Sequence, residues 1–591
     1  MRHKSTEERK RRSPATDSAQ ELITRDAPTD RQGLRWLDSP WWLSVLANLC
    51  LWAAMPPLRW TVLGWVAPLF WLRIIVQPAL PGRRTYWKIW FSSVLFWIAV
   101  MQGMRLAHWA TYIGLVAMGV YLGIYLPLFI GIARHAVHQW RMPLILAAPL
   151  TWTGVELARG YGPLGFSMAT LAHSQVPHTR VIQIADLGGA YTLSFLMMMV
   201  AACVFAAMSH RPHPPRRRWW PLSLAAIAVI VTLLYGQMRI AGPAIPHTSP
   251  PRGLRVALIQ GSIDTTFDDN PDRPRQILDE YVQLTQHALQ RYGPVDLVVW
   301  PESMLPLFDI LMEPGVDLQI DPPLEASDLE DARVLFERLI RNRARSMNAA
   351  EQERSPDGKA RWLAGAATWQ YGNYPTRRYN TALFVDDRGN ILARYYKMHP
   401  VIFGEYVPFG ELIPALYQFF PLPNGLTSGT EPVAVTVNGV NISPSICFES
   451  TIPHLIRGHV AELSRRGTAV DVLVNLTNDG WFWGSSVLDL QLDCAVLRAV
   501  ELRRPFLVAA NTGFSAWIDG NGRILAQGPR HQTGTLLAEV VPDGRWSGYA
   551  TWGDLPAMAC AAVCLALAWG LARKGWRERV RRAGRGTAQQ A

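Results

Sequence analysis

Three residues whose types suit acyl transfer each follow a short strand-like apolar segment. Glu302 ends the segment that begins at Val295, Lys397 ends the segment that begins at Ile391, and Cys447 follows the segment 441–446. A thiolate attacks carbonyl carbons and leaves as a thioester, a carboxylate acts as a general base, and an ammonium group stabilises an oxyanion. Taken singly, each residue also has a plainer interpretation, as a core cysteine, a solvated strand-end charge or a surface lysine.

The elements around these residues indicate an α/β domain over residues 252–543. Strand-like and helix-like segments alternate there, and catalytic residues commonly lie at the carboxyl ends of the strands of such a domain. The predicted strands are 254–260, 297–300, 362–366, 381–385, 470–475 and 506–510, and the predicted helices are 274–291, 328–348, 451–466 and 487–503.

Composition indicates a membrane protein of more than one domain. Of 591 residues, 49% are hydrophobic and only 18% are charged, and the 25 tryptophans suit the membrane–water interface. A span of the hydrocarbon core needs about 20 apolar residues, and the first and fifth of the apolar runs are shorter than that. The apolar runs are 41–56, 60–79, 87–106, 110–133, 142–158, 182–208, 219–236 and 553–572.

Basic residues are concentrated in the loops after every second apolar run. They follow the second, fourth and sixth runs and fill both termini, and the formal net charge is +12. By the positive-inside rule, this pattern predicts cytoplasmic termini and an exported central domain. A basic tail can also bind nucleic acid, but beside membrane spans we interpret it as a topology signal and expect no nucleic-acid partner. The predicted parts are a tail at 1–40, a seven-span bundle at 41–238, the exported domain at 252–543, an eighth span at 550–572 and a second tail at 573–591.

The three candidate residues come in a specific order and context. The segments Trp300–Glu302, Lys397 and Ser445–Glu449 resemble those of the nitrilase, or carbon–nitrogen hydrolase, superfamily. Together with the apolar runs, they make the chain similar to the membrane-embedded apolipoprotein N-acyltransferase family. Segments 475–482, 497–501, 511–513 and 156–160 also resemble that family. The resemblance implies a multi-pass α-helical membrane bundle joined to an α-β-β-α sandwich with a Glu–Lys–Cys triad.

The resemblance also implies a function. A fatty acyl chain would pass from a phospholipid to the α-amine of the diacylglyceryl-cysteine of an apolipoprotein, through a thioester on Cys447. It implies a monomeric bacterial inner-membrane protein with its catalytic domain in the periplasm and no cofactor. Glu405, eight residues after Lys397, would position the lysine or tune the base. The backbone N–H of Phe448 would contribute to an oxyanion hole. Glu449 would orient the nucleophile loop. A structural salt bridge is the plainer alternative for both Glu405 and Glu449.

Two features next to the triad carry further expectations. The family usually has tyrosine after the nucleophile where this chain has Phe448, and little harm is expected because the backbone N–H remains. The segment 413–423 is unusually apolar for an exported loop, which favours a lid on the lipid surface over simple core packing. The candidate lid residues are Leu416, Tyr417, Phe419 and Phe420.

Other classes of function remain as alternatives. A membrane-tethered nitrilase-type amidase acting on small amides would share the triad, and an inactive lipid-binding scaffold would share the spans. A serine hydrolase is disfavoured because the chain has no G-x-S-x-G motif. The histidines are scattered without ligand spacing, so no metal site is expected, and the six cysteines suggest no disulfide framework.

Overall fold

The computed structural model describes residues 38–106, 109, 111–209, 215–244, 253–264, 270–315, 318, 325–352, 360–372, 376–402, 404–406 and 425–588. At 215–218, 349–352 and 574–588 only the backbone is described. The predicted N-terminal tail up to residue 37 and the four candidate lid residues, Leu416, Tyr417, Phe419 and Phe420, lie outside the described residues.

The first part of the chain is a bundle of apolar helices, each close to one of the predicted runs. The run 110–133 is divided between two helices, and the second has Pro127 in its first turn, where a proline is tolerated. The helices are α1 (Pro40–Ala54), α2 (Val62–Val76), α3 (Arg84–Val100), α4 (Thr111–Gly123), α5 (Tyr125–His138), α6 (Leu144–Gly160), α7 (Ala190–Met208) and α8 (Pro215–Ala241).

Several of these helices are suited to a membrane. Within the described part of the chain, the segments long and apolar enough to cross one are Thr111–His138, Ala190–Met208, Trp219–Ala241 and Leu555–Arg573, and the shorter α1 and α2 are also apolar. Large apolar side chains point outward from them, with Leu234 65% and Leu565 71% exposed. Because such surfaces are disfavoured in water, the chain is a membrane protein.

The second part of the chain contains two β-sheets stacked face to face. The first has the order β13-β1-β2-β4-β5-β6, with β3 also paired to β4, and the second has the order β12-β11-β10-β9-β8-β7. The strands are β1 (Leu254–Gln260), β2 (Leu297–Val299), β3 (Phe308–Met312), β4 (Arg361–Tyr371), β5 (Arg377–Val385), β6 (Ile391–Tyr396), β7 (Val435–Val437), β8 (Val440–Ile446), β9 (Val472–Thr477), β10 (Phe506–Ala510), β11 (Ala516–Ile518), β12 (Ile524–Gln527) and β13 (Gly534–Val540).

Helices cover the outer face of each sheet. Side chains such as Leu258 and Val474 fill the core between the sheets, whereas Tyr281 and Phe336 pack on the outer face of the first sheet. The predicted α-β-β-α sandwich is therefore confirmed. The helices are α9 (Arg273–Tyr292) and α10 (Ala326–Gln352) on the first sheet, and α11 (Pro453–Arg465) and α12 (Val487–Leu502) on the second.

Helix α12 joins the two parts of the molecule. All of its residues except Asp489 are buried, because one side packs on the second sheet and the other on the membrane bundle. The last helix, α13 (Leu555–Ala588), comes after β13 of the first sheet in the chain and packs along α6. The catalytic candidates therefore lie in a domain that shares a continuous apolar core with the bundle.

Candidate active site

Glu302, Lys397 and Cys447 lie just beyond the carboxyl ends of β2, β6 and β8. Strands β2 and β4 are parallel, and two antiparallel pairings from β4 through β5 make β6 run in the same direction. Glu302 and Lys397 therefore meet at one edge of the first sheet. Cys447 comes from the facing sheet, so the three residues gather at strand ends between the two sheets.

Glu302 lies in a break between two strand segments that both pair with β4. The N–H of Trp300 bonds to Leu363 and the N–H of Leu305 bonds to Gly365, so the chain leaves the ladder only between these residues. The carboxylate is 5% exposed. Its Oε1 accepts from the Asn380 side chain at 2.7 Å and from Lys397 Nζ at 3.2 Å, and its Oε2 accepts from the Asn478 N–H at 2.8 Å.

Lys397 is buried between two carboxylates. Its Nζ lies 3.2 Å from Glu302 Oε1 and 2.8 Å from Glu405 Oε1. The other oxygen of Glu405 accepts the N–H of Val401 at 2.7 Å, which closes the loop that follows the lysine. The predicted pairing of Glu405 with Lys397 is thus present, and the lysine's direction is set by both carboxylates.

Cys447 begins a short 3₁₀ turn, Cys447–Thr451, directly after β8. Its φ of 53° lies in the left-handed region, which is costly for a residue with a side chain and is common at functional sites. The carbonyl of Cys447 accepts the Asn475 side chain at 3.2 Å and the Ser450 hydroxyl at 3.1 Å. These bonds stabilise a sharp turn that presents the thiol at the strand end.

Electrostatics keep the resting thiol protonated. Burial, with Glu302 nearby, raises the pKa of the Cys447 thiol well above its ordinary value, although Lys397 acts in the opposite direction. Burial alone would lower the pKa of Lys397, but Glu302 and Glu405 outweigh it and raise that pKa well above its ordinary value. The charged form of Lys397 and the protonated form of the Cys447 thiol are therefore favoured, and a thiol becomes nucleophilic only when it loses its proton.

Glu449 connects the loop that follows Lys397 to the turn Cys447–Thr451. Its Oε1 accepts the N–H groups of Met398 and His399 at 2.7 and 3.0 Å. Its Oε2 accepts the N–H of Ile446 at 2.7 Å and the Tyr395 hydroxyl at 2.8 Å. All four donors are neutral groups on the two segments, so these contacts are hydrogen bonds and not salt bridges.

Phe448 lies where the domain meets the bundle. Its ring stacks on His399 at a centroid distance of 6.2 Å and packs against the apolar core that continues into the bundle. Gly165, in the loop after α6, also lies against His399, because a Cβ added there would be 3.1 Å from His399 Nε2. A segment of the membrane part thus lies against the residues that flank Cys447.

Sequence reasoning missed three asparagines that complete the site. Asn380 donates to Glu302 and also to Glu405 Oε1, the latter at 3.1 Å. Asn475 donates to the carbonyl of Cys447, and the backbone of Asn478 donates to Glu302. Asn475 and Asn478 belong to a segment that resembles the family. Asn380 is a polar residue within β5, and no motif in the sequence marked it as part of the site.

Comparison with known proteins gives the same division of the chain. Residues 47–203 match the model of the apolipoprotein N-acyltransferase N-terminal domain, and residues 255–545 match that of the carbon–nitrogen hydrolase family. The chain is 30% identical to an apolipoprotein N-acyltransferase of Rhodopirellula baltica, covering 89% of this chain and 97% of that protein. One from Geobacter metallireducens is also 30% identical, over 85% and 91% of the two chains.

Solved structures also match part of the chain. The crystal structure of an amidase from Nesterenkonia sp. covers 51% of this chain and 94% of its own, at 19% identity. The TM-score is 0.32, a value too low to support a conclusion.

Proposed function

This chain belongs to the apolipoprotein N-acyltransferase family, and we propose that it transfers a fatty acyl chain from a phospholipid to the α-amine of a lipoprotein's diacylglyceryl-cysteine. The relatives extend over both the membrane part and the catalytic domain, which supports transfer between lipid-borne substrates. An amidase acting on small amides would not need the membrane part.

The observation that carries the mechanism is the direct contact of Lys397 with Glu302 and Glu405 beside the Cys447 turn. In the first half-reaction, Glu302 takes the proton of the Cys447 thiol, and the sulfur attacks the ester carbonyl of the phospholipid. Lys397 and the N–H of Phe448 stabilise the oxyanion. The ester C–O bond then breaks, and the lysophospholipid oxygen takes the proton from Glu302. A thioester remains on Cys447.

The second half-reaction uses the same groups in reverse. The α-amine of the acceptor attacks the thioester carbonyl, and the new oxyanion forms beside Lys397. Glu302 accepts a proton from the attacking nitrogen, and the C–S bond breaks as the amide forms. Protonation of the leaving sulfur restores the Cys447 thiol and the Glu302 carboxylate. The reaction is therefore of the ping-pong type, with one site serving both substrates.

The same proposal includes a location and an orientation. On the domain side of the bundle, Arg59 pairs with Asp493 of α12 at 3.1 Å. At the far end of α2, Arg134 donates to the carbonyls of Ile74, Ile75 and Gln77. Further basic residues in the sequence accompany that far end, as expected for a cytoplasmic face. This supports a periplasmic catalytic domain and cytoplasmic termini, whereas the bacterial inner membrane and the monomeric state are proposed from the family resemblance.

The test is the mass of the adduct on Cys447 in protein purified from membranes. We expect a long-chain acyl group in thioester linkage, which hydroxylamine releases and which lipoprotein acceptor removes. The variant Cys447→Ala should form no triacylated lipoprotein in cells depleted of their own N-acyltransferase. Cys494→Ala, which changes the other cysteine of the catalytic domain, is the matched control and should remain active. Full activity of Cys447→Ala would refute the proposal.

A further inference from the structure

Helix α12 carries a buried ion pair that the reaction scheme does not use. Arg498 Nε donates to Glu501 Oε2 at 2.6 Å, and Arg498 Nη2 donates to Glu501 Oε1 at 2.8 Å. The two side chains are 2% and 0% exposed. Removing both charges from water is costly, so a buried pair of this kind is weak evidence for stabilisation. The other contacts of Arg498 and Glu501 indicate a role in positioning rather than in stability.

The acidic partner bonds to the membrane bundle. Glu501 Oε1 accepts the backbone N–H of Ala190, the first residue of α7, at 2.8 Å. The first N–H groups of a helix lack partners within it, and a carboxylate there also interacts favourably with the helix dipole. Glu501 therefore fixes the start of a membrane helix to α12.

The basic partner, Arg498, bonds to the turn Cys447–Thr451, which we call the nucleophile turn. Arg498 Nη1 donates to the carbonyl of Thr451, the last residue of the turn that Cys447 begins, at 3.4 Å. Two side chains thus connect the start of α7 to the turn that carries the thiol.

Close packing between the turn and α12 leaves little room for the turn to move independently of Arg498 and Glu501. A cavity of about 10 Å³ lies between the turn and α12, lined by residues that include Ser450, Asn475 and Ala495. This is at most the space of one water molecule. A displacement of α12 therefore displaces the turn as well, because interiors packed this closely transmit shifts.

We propose that Arg498 and Glu501 are positioning residues that align the Cys447 turn with the membrane bundle, so that the thiol reacts at full rate only while α12 is seated on α7. The inference rests on the proposed role of Cys447 as the nucleophile. It concerns how the membrane part controls that nucleophile, beyond its role in presenting lipid.

The structure offers a matched control in a second buried pair. Arg503 donates to Asp186 Oδ2 at 2.6 and 2.9 Å, and it too crosses between the catalytic domain and the bundle. Its other bonds go to Gln183, Gly520 and Asn521. None of these belongs to the nucleophile turn, so this pair shares the burial and the interface but not the connection.

The experiment compares full-length Arg498→Met, Arg498→Lys, Glu501→Gln and Arg503→Lys in lipid nanodiscs. For each variant we would measure the melting temperature, kcat and KM for phospholipid, and the pH–rate profile of Cys447 alkylation by iodoacetamide. We expect Arg498→Met and Glu501→Gln to lower kcat and the alkylation rate by about tenfold to a hundredfold at unchanged KM. Arg498→Lys should recover part of the loss, and Arg503→Lys should lower the melting temperature without changing the alkylation profile.

Equal losses in the Arg503→Lys variant, or an unchanged alkylation profile in the other three, would overturn the inference. If Arg498→Met fails to accumulate, Glu501→Gln gives the same comparison, because it keeps the side chain's shape. Failure of the proposed function is recognised separately, since full acyl transfer by Cys447→Ala, which has no nucleophilic atom at this position, would refute the nucleophile itself whatever the Arg498 variants do.

Discussion

Gly365 of β4 lies against the backbone of Glu302. A Cβ added to Gly365 would be 2.5 Å from the Cα of Glu302, a distance that real Cβ atoms do not reach. The neighbouring atoms are backbone atoms of the strand break and cannot move aside as a flexible side chain would. The position of the proposed base therefore depends on the absence of a side chain on the adjacent strand.

Gly365→Ala should abolish acyl transfer by displacing Glu302 from Lys397. A misplacement of about 1 Å can cost on the order of a hundredfold in rate. The measurement is single-turnover acylation of Cys447 by phospholipid. Gly458→Ala is the control, because it lies in α11 with open space around the added Cβ. That variant should keep full activity, and an active Gly365→Ala would contradict the proposed dependence.

Replacing Asn380 should reduce the rate without unfolding the protein. Its side-chain nitrogen donates to both Glu302 and Glu405, and a hydrogen bond to a charged group contributes about 1.5–3 kcal/mol. Asn380→Ala should therefore lower kcat by roughly tenfold to a hundredfold. Asn380→Asp should be worse, since it adds a third carboxylate. Steady-state kinetics would measure kcat for each variant, with Asn390→Ala, at an exposed position, as the control. Equal kcat values for Asn380→Ala, Asn380→Asp and Asn390→Ala would exclude a role of Asn380 in the reaction.

Lys397→Met should destabilise the protein as well as inactivate it. The substitution leaves Glu302 and Glu405 close together without a cation, and breaking a buried pair in this way costs about 3–5 kcal/mol. Adding Glu405→Gln to Lys397→Met should restore part of the melting temperature but none of the activity. Thermal unfolding in detergent gives the first quantity. A double variant no more stable than the single one would contradict this electrostatic account.

Glu449 should make stability depend on pH. Burial raises the pKa of Glu449 from 4.5 to about 7. Between pH 4.5 and 7, the folded form retains a proton on Glu449 that the unfolded chain has lost. The contribution of Glu449 to the free energy of unfolding is therefore complete below pH 4.5 and is lost as the pH rises through 7. The shift corresponds to about 3 kcal/mol.

The measurement compares melting temperatures of the wild type and Glu449→Gln between pH 4.5 and 7.5. The difference between the two curves should change across that window, because glutamine does not titrate. Burial likewise raises the pKa of Asp479 to about 7, so Asp479→Asn should show a separate change of the same sign. Parallel curves for the wild type and Glu449→Gln would rule out the assigned titration.

The sequence by itself determined the family resemblance, the candidate reacting groups and the order of the elements. Apolar runs and alternating segments follow from local periodicity, and the predicted strand 506–510 coincides with β10. The three site residues each follow a strand, so chain order alone indicated that they gather at strand ends. Short strands such as β7 and β11, with three residues each, gave too little periodicity to be predicted.

Only the tertiary structure decided which neighbours complete the site. Asn380 meets two carboxylates because β5 is antiparallel to β6 and brings it beside Lys397, a pairing that no local pattern specifies. Gly365 matters through a close approach between strands, and Arg498 through contacts to residues 47 positions away. Such contacts depend on register and packing between distant segments. The sequence therefore indicates the reacting groups, whereas the fold determines what aligns them.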